Sequence, residues 1–480
     1  MGDSTLTAGV ARVDITPPVG FRMQGAMRRT EGSVGVESRL LATALVLADE
    51  DTRTVLVDCD LIGFDRPLVA RIREQIGQRV DTPASHVIVG CTHTHNGPCT
   101  ARGNLGGVHD IGGDAEEIAQ LDAYIENLVG LLAGIAAEAD DNCIPARVGA
   151  GRGQAAVAIN RDEKAADGRV LVGRDANGTT DQSVDVLRVD DLDGNPLAVL
   201  VSYSAHPVVM GYHTYHLSQD FPGVVRDIVE QVTGATCLYM TGAAGNQATL
   251  SFLQNDWSER ERMGGMIGGA AVQAFFTIET RPHEVVRDEG ASLSNIALYE
   301  KAFSEGPTHR VLSFGSHQVT VPLQPLPPLD AARAQLSEAS ERVQQLEAEG
   351  APKSVVYPQL LVERWAAGVV DKIEAGVERD EITFDIAAVR IDDIVLVAMP
   401  GEPFVEIGLG VKERSRADHT FFAGYCNGVI AYWPTAETIK QGGMAVESAV
   451  KSYNISAPPV EEAVDLIVTA CGELLEELGV

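Results

Sequence analysis

The sequence predicts an α/β fold: layered sheets with flanking helices and a helical-hairpin insertion. Three observations carry that reading. Apolar strand-like runs alternate with amphipathic helix-like runs through the first third, the pattern of α/β layering. The middle of the chain is richer in strands. A proline-rich connector, PLQPLPPLD, then leads into a polar Ala/Glu/Gln-rich stretch that breaks the alternation over residues 328–377.

In chain order, RLLATALVLAD and TRTVLVDCDLIG read as buried strands, because each is a short apolar run rich in branched residues. RPLVARIREQIGQRV repeats its apolar residues at helical spacing, SHVIVGCTHTH is strand-like, and IAQLDAYIENLVGLLAGIAAEA is a long helix. ARVGAGRGQAAVAIN, DVLRVDD and PLAVLVSYSAHP read as strands, followed by helical GVVRDIVEQV. TCLYMTGAAGN is a strand running into a glycine turn with an apparent helix after it, and RERMGGMIGGAAVQAFF is helical. Residues 328–377 hold two helices of bland composition, a hairpin expected to serve as scaffold or cover. ITFDIAAVRI and IVLVAMP are strands, GEPFVEIGLGVKERS starts a helix, HTFFAGYCNGVIAY is another strand, and EEAVDLIVTACGELLEEL closes the chain as a helix.

The 480 residues suffice for a large core and are read as one domain, 1–480. Hydrophobic residues make up 45% and charged residues 22%, as in ordinary globular proteins. No uninterrupted apolar run reaches the ~18 residues of a membrane span, and MGDSTLTAGVARVDITPP has no signal-peptide pattern, so a cytoplasmic location is expected. The 37 basic and 68 acidic residues leave a net charge of −31. Such a surface repels nucleic acid and anionic membranes, so the expected partner is a small-molecule substrate; a homo-oligomer stays open. The seven cysteines are scattered and lack C-x-x-C spacing, which points to reduced thiols and away from a cysteine-based zinc site.

The chemistry gathers at the ends of apolar runs. In SHVIVGCTHTHNGP, residues two apart on a strand share a face, so His93 and His95 converge and could hold a metal. A zinc site needs further ligands, commonly His with Asp or Glu. His206, ending AVLVSYSAHP, is the best third candidate, and Glu402 in MPGEPF follows the same pattern. Ligand-type residues at independent strand ends fit the way α/β sites are assembled. His213 and His216 fall in a polar loop. Asp220 is read as a base, a partner to the site, or a helix cap. The Gly-Ala-Ala-Gly turn around Gly245 and Asn246 offers backbone N–H groups that could hold an anion or oxyanion, but matches no nucleotide motif.

These pieces together resemble the N-terminal catalytic domain of the neutral (non-lysosomal) ceramidases. GVARVDITPPVGFRMQG resembles that family's opening, CTHTHNGP its Thr-His-Thr-His-Ser-Gly-Pro, and AVAINRDE its Asn-Arg-Ser segment. SAHPVVMG with SQD, MPGEPF, and GYCNGVIAYWPT follow in family order over roughly residues 8 to 450. The resemblance implies zinc held by His93, His206, Glu402 and Tyr432, with His95 beside the metal as acid/base and Arg161 facing the substrate. Two departures stand against ceramidase proper. Alanine stands at position 248, where the family carries the serine of Gly-Asp-Val-Ser-Pro, with Asn246 for its acid and Thr249 one position away. The C-terminal immunoglobulin-like domain is not expected here either.

The expectation is therefore a zinc-dependent hydrolase of a small soluble amide or lactam. Metal-activated water does the attack, His95 handles protons, and Arg161, Gly245, Asn246 and Asp220 bind substrate or oxyanion. An esterase or lactonase would use the same site, and a non-catalytic zinc- or ligand-binding relative is the third alternative.

Overall fold

The computed structural model describes residues 5–26, 29–103, 105, 107, 113–304 and 311–480; the first four residues of the N-terminal stretch lie outside them. Two sheets dominate. The larger has eight strands, in the order Thr236–Thr241, Pro196–Tyr203, Ser183–Asp191, Ile144–Gln154, Thr7–Asp14, Leu41–Ala48, Arg53–Cys59 and Val87–Cys91. The smaller has four: Leu312–Pro325, Arg379–Ile391, Ile394–Ala398 and His419–Ala423. Most neighbours run antiparallel. Within these two sheets three pairs are parallel: Arg53–Cys59 with Val87–Cys91, Pro196–Tyr203 with Thr236–Thr241, and Ile394–Ala398 with His419–Ala423.

A parallel pair needs a crossover, and each has a helix for it. These are Arg66–Val80, Phe221–Thr233 and Val405–Arg414. In such units the strand ends on one side of the sheet face a common region, and there the loops carry His93, His95, His206, Glu402 and Tyr432. Three β-α-β units thus present their loops to one site.

Burial explains the layering. The inner faces of the two sheets meet through Leu45, Leu56, Leu187 and Leu200 on one side and Val389, Leu396 and Phe421 on the other. The outer face of the larger sheet is covered by Arg66–Val80 with Ala115–Asp141, and by Phe221–Thr233 with Trp257–Thr277. Val405–Arg414 and Ala463–Glu477 cover the smaller sheet. Among the described residues Ala115–Asp141 is the one helix long and apolar enough by composition to cross a bilayer. Its Leu121, Ile125, Leu128 and Leu132 face is buried on the sheet, which accounts for that composition. All seven cysteines are free thiols and six are buried.

The segment read as a hairpin forms two antiparallel helices, Leu329–Ala348 and Lys353–Glu374. It is tied to the body by Trp365 Nε1 donating to the Ile455 carbonyl at 2.7 Å and by Arg22 over the Tyr357 ring at 5.3 Å.

Four local readings differ from the structure, the first being ARVGAGRGQAAVAIN, which is not one strand: Ile144–Gln154 ends before Ala155 and Ala158–Lys164 joins a separate sheet. The strand before the histidines ends at Cys91, so His93 and His95 lie in the following turn, with His93 at φ +66°. Their convergence comes from that turn and not from strand pleat. After Gly245 the chain continues as a short strand, Gln247–Thr249, paired with Ala158–Lys164, and not as a helix. HTFFAGYCNGVIAY is a strand only over His419–Ala423.

Candidate metal centre

His93, His95 and His206 place their ring nitrogens within 4.8 Å of one another, an arrangement that could hold a metal ion. Backbone carbonyls orient all three rings. His93 Nδ1 lies 2.6 Å from the Ile62 carbonyl, His95 Nδ1 3.0 Å from that of Gly25, and His206 Nδ1 3.2 Å from that of Ala244. A carbonyl can only accept, so each Nδ1 carries the proton and each Nε2 keeps a free lone pair. That second hydrogen bond is how metal-binding histidines are held in tautomer and orientation. Burial pushes all three imidazoles below their ordinary pKa, so they are neutral, as ligands must be.

Glu402 joins them. Its Oε2 is 3.6 Å from His93 Nε2 and 3.7 Å from His206 Nε2, and His95 Nε2 is 3.2 Å from His206 Nε2. Ligands at ~2.0–2.1 Å from tetrahedral zinc stand about 3.3–3.4 Å from one another. The nitrogen and carboxylate separations fit that spacing, and the donor set suits zinc. Glu402 opens a two-residue strand, Glu402–Pro403, in parallel register with Tyr432–Trp433, which sets Glu402 directly beside Tyr432. Gly401 turns the chain there at φ +85°, and a Cβ would meet the Ala431 carbonyl at 2.6 Å. Tyr432 accepts from Arg161 Nη2 at 3.0 Å. Burial, then the Glu402 charge, push the Tyr432 phenol well above its ordinary pKa. The structure thus gathers His93, His206, Glu402 and Tyr432, and it places His95 Nε2 in the same cluster, beyond the separate acid/base position that the sequence assigned it.

Arg161 is buried behind the cluster. Its Nε and Nη2 donate to the Gly245 carbonyl at 3.1 and 2.7 Å. Burial works against its charge, but Tyr432 and Glu402 outweigh that and raise its pKa. These groups line a cavity of about 270 Å³ whose other walls are mostly apolar, including Leu105, Val172, Phe252, Leu253 and Met444, with Ser448 and Ser452 among them. A second cavity of about 390 Å³ shares Gly25, His95, Val208 and Leu253 with it and is walled on its far side by Pro358 of the helical hairpin.

The expected oxyanion donors are elsewhere. Gly245 N–H is already given to the Pro403 carbonyl at 2.8 Å. The Asn246 side chain accepts from Val405 N–H at 2.8 Å and donates to Glu406 at 3.0 Å. With no helix following, there is no dipole to favour an anion; these residues position Arg161 and Val405 instead. Asp220, fully buried, accepts from the N–H groups of Val209, Met210 and Phe221. It caps Phe221–Thr233, braces the loop after His206, and is not on the cavity wall. Thr249 is buried in its strand and donates to the Ser251 carbonyl, so its hydroxyl does not face the cavity.

Two tyrosines escaped the sequence reading. Tyr453 donates to Glu402 Oε1, and the Tyr425 hydroxyl lies 3.4 Å from Glu402 Oε2. Tyr425 sits within the quoted GYCNGVIAY at φ +59°, whereas Tyr453 has no signal in its surroundings. Tyr425, His93, Leu253 and Leu105 are all non-glycine residues at positive φ around this one site. Such strain, of order 1–3 kcal/mol per residue, collects where a fold holds a functional geometry.

Gly25 has a specific role. At φ +92° its carbonyl fixes His95, and a Cβ there would lie 2.6 Å from the His95 ring. Gly25→Ala is expected to lower metal affinity or turnover roughly 10–100-fold, the usual cost of disturbing an outer-shell partner, with the fold retained. Zinc titration and turnover of the purified variant against wild type check this.

Residues 6–260, more than half of the chain, match the family model of neutral/alkaline non-lysosomal ceramidase, N-terminal. Neutral ceramidase B of Dictyostelium discoideum is 27% identical over 248 residues, 48% of this chain and 33% of that protein. The chain thus spans about a third of the length of that curated relative. The neutral ceramidase of Pseudomonas aeruginosa superposes over 99% of this chain and 75% of its own at TM-score 0.62 and 17% identity. A ceramidase complexed with C2 does so over 99% and 76% at TM-score 0.65 and 15% identity, and these two likenesses establish the fold. The chain belongs to the neutral/alkaline non-lysosomal ceramidase family.

Proposed function

We propose that the chain is a zinc-dependent hydrolase of a small amide or lactam. The observation that carries this is the convergence of three carbonyl-oriented imidazole Nε2 atoms and the Glu402 carboxylate at one end of a mostly apolar cavity. Zinc would be held by His93, His206 and Glu402, completed by Tyr432 or His95. Bound there, it supplies Lewis acidity and lowers the pKa of a coordinated water toward ~7.

The chain's own residues do the rest. Arg161, cationic and backed by the Gly245 carbonyl, offers its remaining N–H groups to the substrate carbonyl oxygen and to the charge that develops on it. His95, kept neutral by burial, can take a proton at Nε2 and return it to the leaving amine. Tyr453 and Tyr425 hold the Glu402 carboxylate in place. The apolar walls exclude bulk water and strengthen these charges. A cavity of about 270 Å³ suits a small acyl group. The amide bond is favoured by membership of a ceramidase family, although Ala248 and Thr249 present no nucleophile to the cavity.

Matched amide and ester substrates, assayed with and without a chelator, test the reading. Turnover of the amide that disappears on chelation and returns with zinc is expected. Chelator-resistant turnover sinks the metal, and ester turnover with an inert amide sinks the bond assignment. His95→Ala separates two roles for that residue. Zinc retained with turnover lost marks proton handling; zinc lost marks a ligand.

A further inference from the structure

The site has two chambers, and His95 belongs to the walls of both. The first, of about 270 Å³, holds the histidine cluster. The second, of about 390 Å³, shares Gly25, His95, Val208 and Leu253 with it and adds Ala26, Arg29, Met210, Tyr212 and Pro358. Hydrolysis of an amide leaves two pieces, an acid and an amine. Two chambers that meet at the proton-handling imidazole can take one piece each, with the acyl group in the first and the leaving amine in the second.

Arg29 sets what the second chamber selects. Among the described residues five arginines are buried: Arg22, Arg29, Arg161, Arg226 and Arg260. Four of them have a carboxylate near the guanidinium, Glu117 for Arg22, Glu402 for Arg161, Asp58 and Asp60 for Arg226, and Glu37 for Arg260. Arg29, 2% exposed, has no carboxylate beside it. Its Nη2 donates to the Gln24 carbonyl at 3.0 Å and to that of His95. Its Nη1 donates to Asn96 Oδ1 at 3.2 Å and to the Thr214 carbonyl at 3.5 Å, and its Nε has no partner. All of these acceptors are neutral. They satisfy hydrogen bonds and leave the charge uncompensated, and a guanidinium does not shed its proton. Buried charges are ordinarily paired, so a counter-ion that the chain omits is one a ligand can bring.

The position of the charge narrows the ligand. Arg29 holds the carbonyl of His95 itself, which puts the cation next to the imidazole that serves the leaving nitrogen. That closeness favours an anion on the carbon bearing the nitrogen, an α-carboxylate. The chamber's other surfaces, at Ala26, Met210 and Pro358, suit an apolar side chain. The rest of the molecule gives an anion no help, since a net charge of −31 repels it. Selection falls to the buried cation.

We propose that the second chamber is a subsite for the amino-acid half of an N-acyl α-amino acid, with Arg29 as the specificity-determining residue that reads its carboxylate. The inference rests on the reading of the site as an amide hydrolase. In the reaction water gives its oxygen to the acyl carbon and the carbon–nitrogen bond breaks. The proton handled by His95 goes to the leaving nitrogen, so a carboxylic acid and a free amino acid are released.

A matched pair tests it: N-hexanoyl-L-phenylalanine and N-hexanoyl-2-phenylethylamine, the same molecule without the carboxylate. Calorimetric titration uses the full chain after chelation, so that no metal can hold the carboxylate. Wild type is expected to bind the acid about 10–100-fold more tightly than its twin, the worth of a hydrogen-bonded charge. Arg29→Met should remove most of that ratio, and Arg29→Lys, which keeps the charge, should retain part of it. The wild-type comparison stands without either variant: equal affinity, or tighter binding of the twin, overturns the proposal. So does a preference that survives intact in Arg29→Met, because the carboxylate would then be read elsewhere, at Arg161. Turnover by the zinc-loaded protein separates this inference from the reading beneath it. Equal kcat/KM on both compounds strikes the subsite and leaves the hydrolase. A binding preference that depends on Arg29, with neither compound turned over, supports the subsite and counts against the hydrolase.

Discussion

His206→Ala is expected to strip the chain of stoichiometric zinc and to lower turnover by on the order of 10³-fold or more. The size follows from what the metal supplies, several kcal/mol of transition-state stabilisation, at about 1.36 kcal/mol per tenfold in rate. His206 is fully buried, and its Nε2 sits 3.2 Å from His95 Nε2 and 3.7 Å from Glu402 Oε2. Removing it takes away the donor common to both contacts. Its backbone is held apart from its ring, by N–H to the Gln247 carbonyl at 3.1 Å and the bridge to Ala248, so the loop should survive the substitution. His213→Ala, in the exposed part of the same segment, is the control and should change neither property. Metal analysis and turnover on both variants decide the matter. A His206→Ala protein with one zinc per chain and wild-type turnover would sink the assignment.

Much of this site was legible because α/β folds put chemistry at strand ends, and apolar runs mark those ends in the sequence. His206 after Pro196–Tyr203 and Glu402 after Ile394–Ala398 were found on that ground alone, and the structure brings them together. The period-two argument for His93 and His95 reached the right pair by the wrong route. A left-handed residue at His93 reverses the chain just past the strand, and nothing in Cys-Thr-His-Thr-His announces a positive φ. The turn at Gly245 failed for a related reason. Gly-Ala-Ala-Gly is compatible with a helix start, and only the tertiary pairing of Gln247–Thr249 with Ala158–Lys164 makes it a strand. Tyr453 could not be found at all, because its contact with Glu402 spans 51 residues and depends on how a short helix docks. The exposed hairpin of His283–Arg287 and Tyr299–Phe303 lacked the apolar alternation that marks half-buried strands, since neither of its faces is covered.

Arg226→Met is expected to destabilise the fold by about 3–5 kcal/mol near pH 8, the cost of leaving buried carboxylates without their cation. Arg226, on the helix Phe221–Thr233, donates to Asp58 at 2.9 Å and to Asp60, and all three side chains are buried. Asp60 also accepts from Leu41 N–H at 2.9 Å, and Asp58 from Tyr239 N–H at 2.9 Å. The triad therefore ties a crossover helix to the strand end that leads into Leu61 and Ile62, whose carbonyls hold the His93 N–H and Nδ1. Burial pushes the Asp58 carboxyl up to about 7 in spite of Arg226. A raised folded pKa adds stability that is full below the ordinary carboxylate range and lost as pH rises through about 7. The loss caused by Arg226→Met should accordingly shrink from pH 8 to pH 5, where Asp58 is already protonated and less charge is left uncompensated. Urea unfolding of both proteins at the two pH values measures this. Adding Asp58→Asn and Asp60→Asn to Arg226→Met should recover more than half of the loss, since a neutral set leaves no buried charge behind. A loss below about 1 kcal/mol at pH 8, within the range of ordinary surface substitutions and weak pairs, would show that the triad does not hold the strand end that positions His93.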